Sequence, residues 1–382
     1  MKLTPFQWSS FNFFGFFCAY GVILPFLPVW LKHYGYETEM IGLLVSFGYL
    51  FRFLGGMLSS QRVKQVSQFL PTARWLTWLN LAVVVGLILT VENIWLFFPM
   101  LMLFHIFNAG AMPIADSIAS VWQQQVGLDY GKARLFGSLA FVVGSISTGY
   151  LVGWLGTESI VLICGAFLLL LGLGQLCTPT ISLQQPQQQE ASVSFSYWQI
   201  LKEPTTFRML MAVSLILASH AAYYTYSTIY WSSLSISTQA ISLLWGLAVI
   251  AEIGLFFVAK RFFTRIRLAY LILVSTLGTA LRWVLLATTT DISLLAFSQL
   301  FHSLSFALAH FAMIRYISSQ ETNKIAKLQG LYFGLGSCAM MAIFTFLSGI
   351  IYQSSPTWMF LTMALFALPA IFIVPKRFST NF

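Results

Sequence analysis

Apolar residues run through this chain in stretches of about twenty, each closed by a short polar break, and twelve such stretches can be read along it. They cover approximately 6–31, 39–60, 73–91, 94–121, 132–155, 159–178, 206–232, 240–259, 268–288, 292–315, 328–351 and 357–375. About twenty mainly apolar residues, rising about 1.5 Å each, match a hydrocarbon core about 30 Å thick, so each run predicts one membrane-crossing helix. Most breaks carry turn chemistry, such as Glu92-Asn93 and Ser354-Ser355-Pro356. The first run exceeds a signal-peptide core of about 7–15 residues and lacks a small-x-small cleavage site, so it reads as a retained helix. The pattern predicts an all-α membrane protein.

One stretch departs from the pattern. From Thr178 to Thr206 the chain reads TPTISLQQPQQQEASVSFSYWQILKEPTT, rich in Gln, Ser and Pro, and it reads as a flexible linker over 179–205. The linker divides the chain into six-helix bundles at 1–178 and 206–382, both entered from the same side. Parallel six-helix halves with nested inverted repeats describe the major facilitator architecture, which places a substrate near midplane between the halves. The halves share no obvious residue identity, so this repeat rests on hydropathy.

Charge orients the bundle. With both termini cytoplasmic, the inward ends and loops hold seventeen of the twenty lysines and arginines, from Lys2 to Arg377, and the outward loops hold Lys32 alone. Glu37, Glu39, Glu92, Glu158 and Asp291 fall outside. That asymmetry is the positive-inside bias, so the formal net charge of +9 is topological and does not imply a nucleic-acid partner. Composition agrees: 8% of residues are charged and 58% apolar, with a mean hydropathy of +0.80, against about 25% charged in soluble domains. The four cysteines, Cys18, Cys164, Cys177 and Cys338, form no CxxC and read as core thiols.

Against this background Arg52, Asp116, Glu252 and Arg282 stand out, each inside an apolar run. An ion at mid-bilayer costs at least about 2.5–3.5 kcal/mol, so such residues face the interior and mark transport pathways. In the fourth span His105, Asn108, Met112 and Asp116 share one helical face, and Arg134, Ser138, Phe141 and Ser145 share one in the fifth. The short connection predicts that Asp116 meets Arg134, either as an ion pair locking two helices or as a substrate contact. In the seventh span His220, Tyr224, Ser227 and Trp231 fall on one face, read as lining a cavity, although Tyr230 and Trp231 also suit an interfacial belt.

Glu252, Arg282 and His302 lie roughly 18, 9 and 15 Å below the outer ends of spans eight, nine and ten, within reach of one another in depth. The charge state of a buried carboxyl responds to burial and to an approaching cation, which suits proton coupling, while the bland reading is a permanent structural triad. Arg52 has no acid within a turn. It snorkels, pairs across the bundle or receives an anionic substrate.

FNAGAMPIADS (Phe107–Ser117) followed by DYGKARLFGS (Asp129–Ser138) resembles the helix 4–5 region of the lactose permease branch of the major facilitator superfamily. The resemblance implies that Asp116 and Arg134 occupy its sugar-binding positions. LFHSLSFALAHFAMIRYISSQ (Leu300–Gln320) resembles its helix-10 region; that likeness places His302 and Arg282 on its proton-site His and Arg, with Glu252 as the counterpart of the helix-8 acid. A further acid of that branch falls on Ser305, its sugar-stacking tryptophan on Phe141, and a loop acid on Gln61. Lactose specificity is therefore not implied, and coupling would rest on Glu252.

YGVILPFLPVWLK (Tyr20–Lys32) and SHAAYYTYSTIYW (Ser219–Trp231), with the DYGKARLFGS segment, resemble the bacterial phenylpropionate permease family over nearly the whole chain. That resemblance implies proton symport of a small aromatic carboxylate such as 3-phenylpropionate across the inner membrane, driven by the proton gradient; no cofactor is expected, and a monomer is. Phe141, Tyr224 and Trp231 would hold the ring, and Arg134, Arg52 or Arg282 the carboxylate. A sugar or nucleoside symporter of the same superfamily is the alternative. No HExxH, Walker motif or nucleophile beside His105 and Asp116 is present, so neither an intramembrane enzyme nor an ATP-driven pump is expected.

Overall fold

In the computed structural model the described residues are 2–63, 65–184 and 196–375. Among them twelve helices are long and apolar enough to cross a membrane. We number them α1 Pro5–His33, α2 Thr38–Ser59, α3 Val66–Thr90, α4 Ile94–Val126, α5 Tyr130–Leu155, α6 Thr157–Gln175, α7 Pro204–Ser233, α8 Thr238–Ala259, α9 Leu268–Thr288, α10 Ile292–Ser318, α11 Asn323–Ser354 and α12 Pro356–Ile373.

The helices follow the apolar runs, and their ends depart from them for local reasons. α4 continues past the apolar core through Gln123–Gln125, which are adequate helix formers, and stops where Gly127 adopts φ 69°. Asp129 then caps α5 by accepting from the Lys132 amide at 3.0 Å, a bond that holds its exposed carboxyl below the usual carboxylate range. α7 is broken between Ala218 and Ala221. α10 and α11 each widen into a π-helical segment, Ser303–Leu308 and Phe333–Ala339. The expected linker is partly structured. Ser196 and Gln199 form a capping box that opens a short helix, Tyr197–Leu201, while 185–195 lies outside the described residues.

By backbone contacts the chain divides into two compact units. One comprises Met1–Glu37, Phe47–Gln189 and Trp231–Gly246; the other comprises Thr38–Ser46, Glu190–Tyr230 and Leu247–Phe382. The start of α2 therefore groups with the C-terminal helices, and the start of α8 with the N-terminal ones, a division finer than a cut at the linker.

In the first unit α1 packs along α5 and α6, and α3 along α4 and α6. The α1–α5 crossing depends on missing side chains. A Cβ on Gly144 would strike the Cys18 carbonyl, and one on Gly21 would strike the Phe141 carbonyl. Close backbone approach of this kind is how helices gain dispersion contact where lipid removes the hydrophobic drive. Asn12 accepts from Gln175 at 2.7 Å, so a buried amide pair joins α1 to α6. Trp8 and Trp122 meet edge to face at 5.8 Å within an apolar cluster that includes Ala115, Ile118 and Ala133, fixing the ends of α4 and α5 that carry Asp116 and Arg134.

In the second unit α9 packs on α10 and α12, and α7 on α11, around a core that includes Leu210, Val213, Leu271, Ala309 and Met313. Arginines counted on sequence as inward-facing also close helix ends. Arg208 donates to the Ile373 carbonyl at 2.7 Å, and Arg315 to the Ile266 and Phe263 carbonyls at 2.6 and 3.1 Å. In the first unit Arg74 donates to the Gln175 carbonyl at 2.7 Å. Each satisfies carbonyls that the end of a helix leaves without partners.

Gly144→Leu forces a branched side chain into the α1 backbone. It is expected to cost at least about 1–3 kcal/mol, read as a lower Tm of the detergent-purified protein; an unchanged Tm would refute the tight crossing.

Candidate functional site

The second unit holds a buried polar cluster around Arg282. Arg282 of α9 is completely buried, and among the described residues no carboxylate lies within 4.0 Å of it. Its charge is met by neutral groups instead. One terminal nitrogen donates to His302 Nδ1 at 2.8 Å and to Ser305 Oγ at 3.2 Å, and the other to Gln299 Oε1 at 3.0 Å. The guanidinium carbon lies 4.4 Å from the Tyr223 ring centroid and 4.9 Å from that of Trp283. Ring faces attract a cation most strongly when it is desolvated.

The donors in this cluster fix its tautomers. A guanidinium only donates, so His302 Nδ1 accepts, and the neutral ring carries its proton on Nε2. That nitrogen stands 3.4 Å from Glu252 Oε2, on a side chain only 17% exposed. His302 therefore stands between Arg282 and Glu252, a series rather than a triangle. His220 has the opposite tautomer. Its Nδ1 is 3.1 Å from the Ile216 and Leu217 carbonyls, which only accept, so Nδ1 carries the proton and Nε2 accepts from Ser305 at 3.1 Å.

Local folding supplies the geometry. Gln299, His302 and Ser305 recur at three-residue spacing on α10, just where the helix widens into its π segment; such bulges recur at functional sites. His220 lies at the break in α7, where Ser219 accepts from Trp283 at 2.9 Å. Gln299 was legible on the His302 face but unremarked. His310 bonds the Tyr332 phenol at 2.8 Å.

The first unit gathers the other predicted charges differently. The expected direct pairing of Asp116 with Arg134 does not form. Tyr130, one turn before Arg134 on α5, reaches Asp116 first and donates to it at 2.9 Å. Arg134 lies over the Phe17 and Phe13 rings, 4.3 and 5.4 Å from their centroids, near enough for its charge to act on Asp116 and Tyr130. Arg52 of α2 donates to Asn108 Oδ1 at 2.9 Å and lies 5.1 Å from the Tyr20 centroid. Phe141 is buried between the Tyr20 and Trp245 rings, at 6.2 and 6.5 Å.

Tyr224 is half-buried beside His220, with ring centroids 5.6 Å apart. Trp231 is fully buried and groups with the first unit. The aromatic face of α1, with Phe13, Phe17 and Tyr20, went unread on sequence because rings are common in any span.

A family model described as the MFS_1 like family matches residues 6–362. The chain is 36% identical over 376 residues to the probable 3-phenylpropionic acid transporter of Escherichia coli (strain K12), covering 98% of this chain and 99% of that one. It is 24% identical over 351 residues to the uncharacterized transporter YwbF of Bacillus subtilis (strain 168), covering 88% and 84%. Among solved structures, the nucleoside transporter NupG superposes with a TM-score of 0.81 at 15% identity, covering 97% and 98% of the two chains. An auto-inhibited POT family peptide transporter does so at 0.77 and 10%, covering 97% and 96%. At those identities the likeness is one of fold.

Gln299→Leu leaves a buried Arg282 N–H without an acceptor. It is expected to destabilise the protein by about 1–3 kcal/mol, and Gln299→Glu to do so less; equal Tm values for all three proteins would remove Gln299 from the Arg282 shell.

Proposed function

The chain belongs to the MFS_1 like family, and from that membership we propose that it is a proton-coupled symporter importing a small aromatic carboxylate such as 3-phenylpropionate by alternating access. That it is a multi-pass membrane transporter of the major facilitator type, and not an enzyme, follows from its family, fold and relatives. The proton, the substrate and the direction are our reading. So are a bacterial inner-membrane location with both termini cytoplasmic, from the charge asymmetry, and a monomeric carrier.

One observation carries the proton coupling: a largely buried carboxylate, Glu252, faces the N–H of a histidine whose other nitrogen is held by a buried arginine. Intramembrane carboxyls with such partners serve as proton relays. In this arrangement Arg282 fixes His302 as a donor toward Glu252. A shift of α9 against α10 that withdrew Arg282 would free His302 Nδ1 and change the electrostatic field at the carboxyl. The site therefore has the parts needed to take up a proton in one conformation and release it in another. The substrate reading is supported by the name of the 36% identical relative, and by a first unit in which guanidinium groups lie over aromatic rings. A guanidinium suits a carboxylate, and a ring face suits a phenyl group.

In proteoliposomes with an imposed inward proton gradient, labelled 3-phenylpropionate is expected to accumulate, and a protonophore to abolish the accumulation. Glu252→Gln is expected to lose uphill accumulation while keeping exchange down a substrate gradient. Proton-driven accumulation at the wild-type level in that variant would strip Glu252 of the role. Accumulation of a nucleoside or lactose in place of the aromatic acid would overturn the substrate.

A further inference from the structure

Arg52, Arg134 and Arg282 are the three arginines named on sequence as candidates to receive an anionic solute, and their surroundings rank them. Arg282 has both terminal nitrogens committed to His302, Ser305 and Gln299, and rings against its face. Its Nε has no hydrogen-bond partner among the described residues, but it is fully buried, so a carboxylate would have to open that enclosure to reach it. Arg134 is one turn into α5, near the edge of its span, with Asp116 and the Tyr130 phenol close by. A carboxylate arriving there meets an acid.

Arg52 differs from both. It lies about four turns into α2, well inside the span, and is only half-buried. Of the five N–H bonds of a guanidinium, one meets Asn108 Oδ1, and among the described residues the rest meet no acceptor and no acid lies within 4.0 Å. A charge at that depth with one neutral acceptor and one ring is the least compensated of the three.

A second polar group beside it is also left open. His105 shares a face of α4 with Asn108 and is 7% exposed, and among the described residues neither ring nitrogen has a hydrogen-bond partner. A neutral imidazole must carry one N–H, so at least one buried donor there is unmet, at a cost of about 1–3 kcal/mol. The ring edge packs onto Gly48, one turn before Arg52 on α2, where a Cβ would collide with Nε2. Arg52 is near enough for its charge to act on the ring. Two unmet donor groups thus sit together on α2 and α4, next to the apolar ring surface of Tyr20 and Phe141.

We infer that Arg52, seconded by His105, is the carboxylate-receiving point of a monocarboxylate subsite in the first unit, with Tyr20 and Phe141 flanking the apolar part of the solute. Asn108 holds the guanidinium in place, and the Tyr20 ring supports its face. The anion completes the donor shell that the protein leaves incomplete. This inference deepens the proposed substrate reading and rests on it only for the aromatic character of the solute.

The test is binding to the purified full-length protein, by ligand-induced thermal shift and by equilibrium binding. The probes are 3-phenylpropionate, its neutral isostere 3-phenylpropanamide, and a panel of aromatic and aliphatic monocarboxylates. The wild type is expected to prefer acid to amide at least tenfold. Arg52→Gln is expected to abolish that preference, and Arg52→Lys, which keeps the charge but loses the fork, to retain part of it. Tyr20→Leu is expected to weaken acid and amide alike. Size-exclusion behaviour and Tm of each variant separate misfolding from lost recognition; should Arg52→Gln not fold, a wild-type acid preference in Arg52→Lys and His105→Leu together would overturn the inference.

A folded Arg52→Gln that still discriminates acid from amide as the wild type does would overturn it, as would loss of discrimination in Arg134→Gln alone. Binding of other monocarboxylates, but not 3-phenylpropionate, with the same dependence on Arg52 would sink the substrate reading and leave this site standing. A wild type that binds no monocarboxylate of the panel would overturn both.

Discussion

A buried arginine in a membrane-spanning helix keeps its charge, so everything around it must be arranged to carry that charge. The guanidinium stays protonated, and hydrocarbon offers its field no response. In this protein the second unit is organised around that constraint. Arg282 is fully enclosed, and its shell recruits α10 through Gln299, His302 and Ser305, and α7 through Tyr223. The widening of α10 into a π segment coincides with those residues. The shell thus fixes which helices are neighbours as well as how one side chain is solvated.

The same constraint explains why the acceptors are neutral. A buried ion pair must recover the desolvation of two ions, whereas amide, hydroxyl and imidazole acceptors require only one to be desolvated. Neutral acceptors also impose direction. Hydrogen bonds run outward from Arg282 to His302, whose other nitrogen stands 3.4 Å from Glu252, and through Ser305 to His220 and the carbonyls of α7. The cation sets the tautomer of His302, and the carbonyls of α7 set that of His220. At the arginine-rich ends of the units the demand is inverted, because helix carbonyls there lack donors and Arg74, Arg208 and Arg315 supply them. The charge bias that orients the chain is thereby tied to the integrity of its helix ends.

Hydropathy is a sum along one helix, and what it sums was legible. All twelve spans were readable, as was the polar break between the sixth and seventh. Helical spacing also put Glu252, Arg282 and His302 at compatible depths, and the structure brings them together in series. What failed to read depends on which neighbour arrives first. Asp116 was assigned to Arg134 on the shortness of their connection, but a tyrosine one turn earlier on the same helix occupies the carboxylate. Trp231, put on one face with Tyr224 by its spacing, is fully buried where Tyr224 is half-buried. The break and the π segments leave no mark in composition, because a helix with shifted hydrogen bonds uses the same residues as a regular one. The α1 rings were invisible for a plainer reason: nothing in a span rich in phenylalanine says which rings a guanidinium will choose.

The contrast between Arg282 and Arg52 bears on what a carrier needs from an intramembrane cation. Arg282, fully enclosed and with both terminal nitrogens held, is a fixed part of the scaffold. Its Nε finds no acceptor among the described residues, but an anion would have to open that enclosure to reach it. A guanidinium with no shell would raise the cost of the solute-free protein by the full desolvation of an ion. Arg52, held by one amide and one ring, lies between these limits. Its position is defined without its donors being used up. On the inference drawn above, the solute supplies the missing acceptors on entry and returns the site to the same half-satisfied state on leaving. The free energy of binding is then the difference between two tolerable states, small enough for the solute to be released. Under-satisfaction of this kind would be a defect in a structural charge and is a requirement in one that must let go.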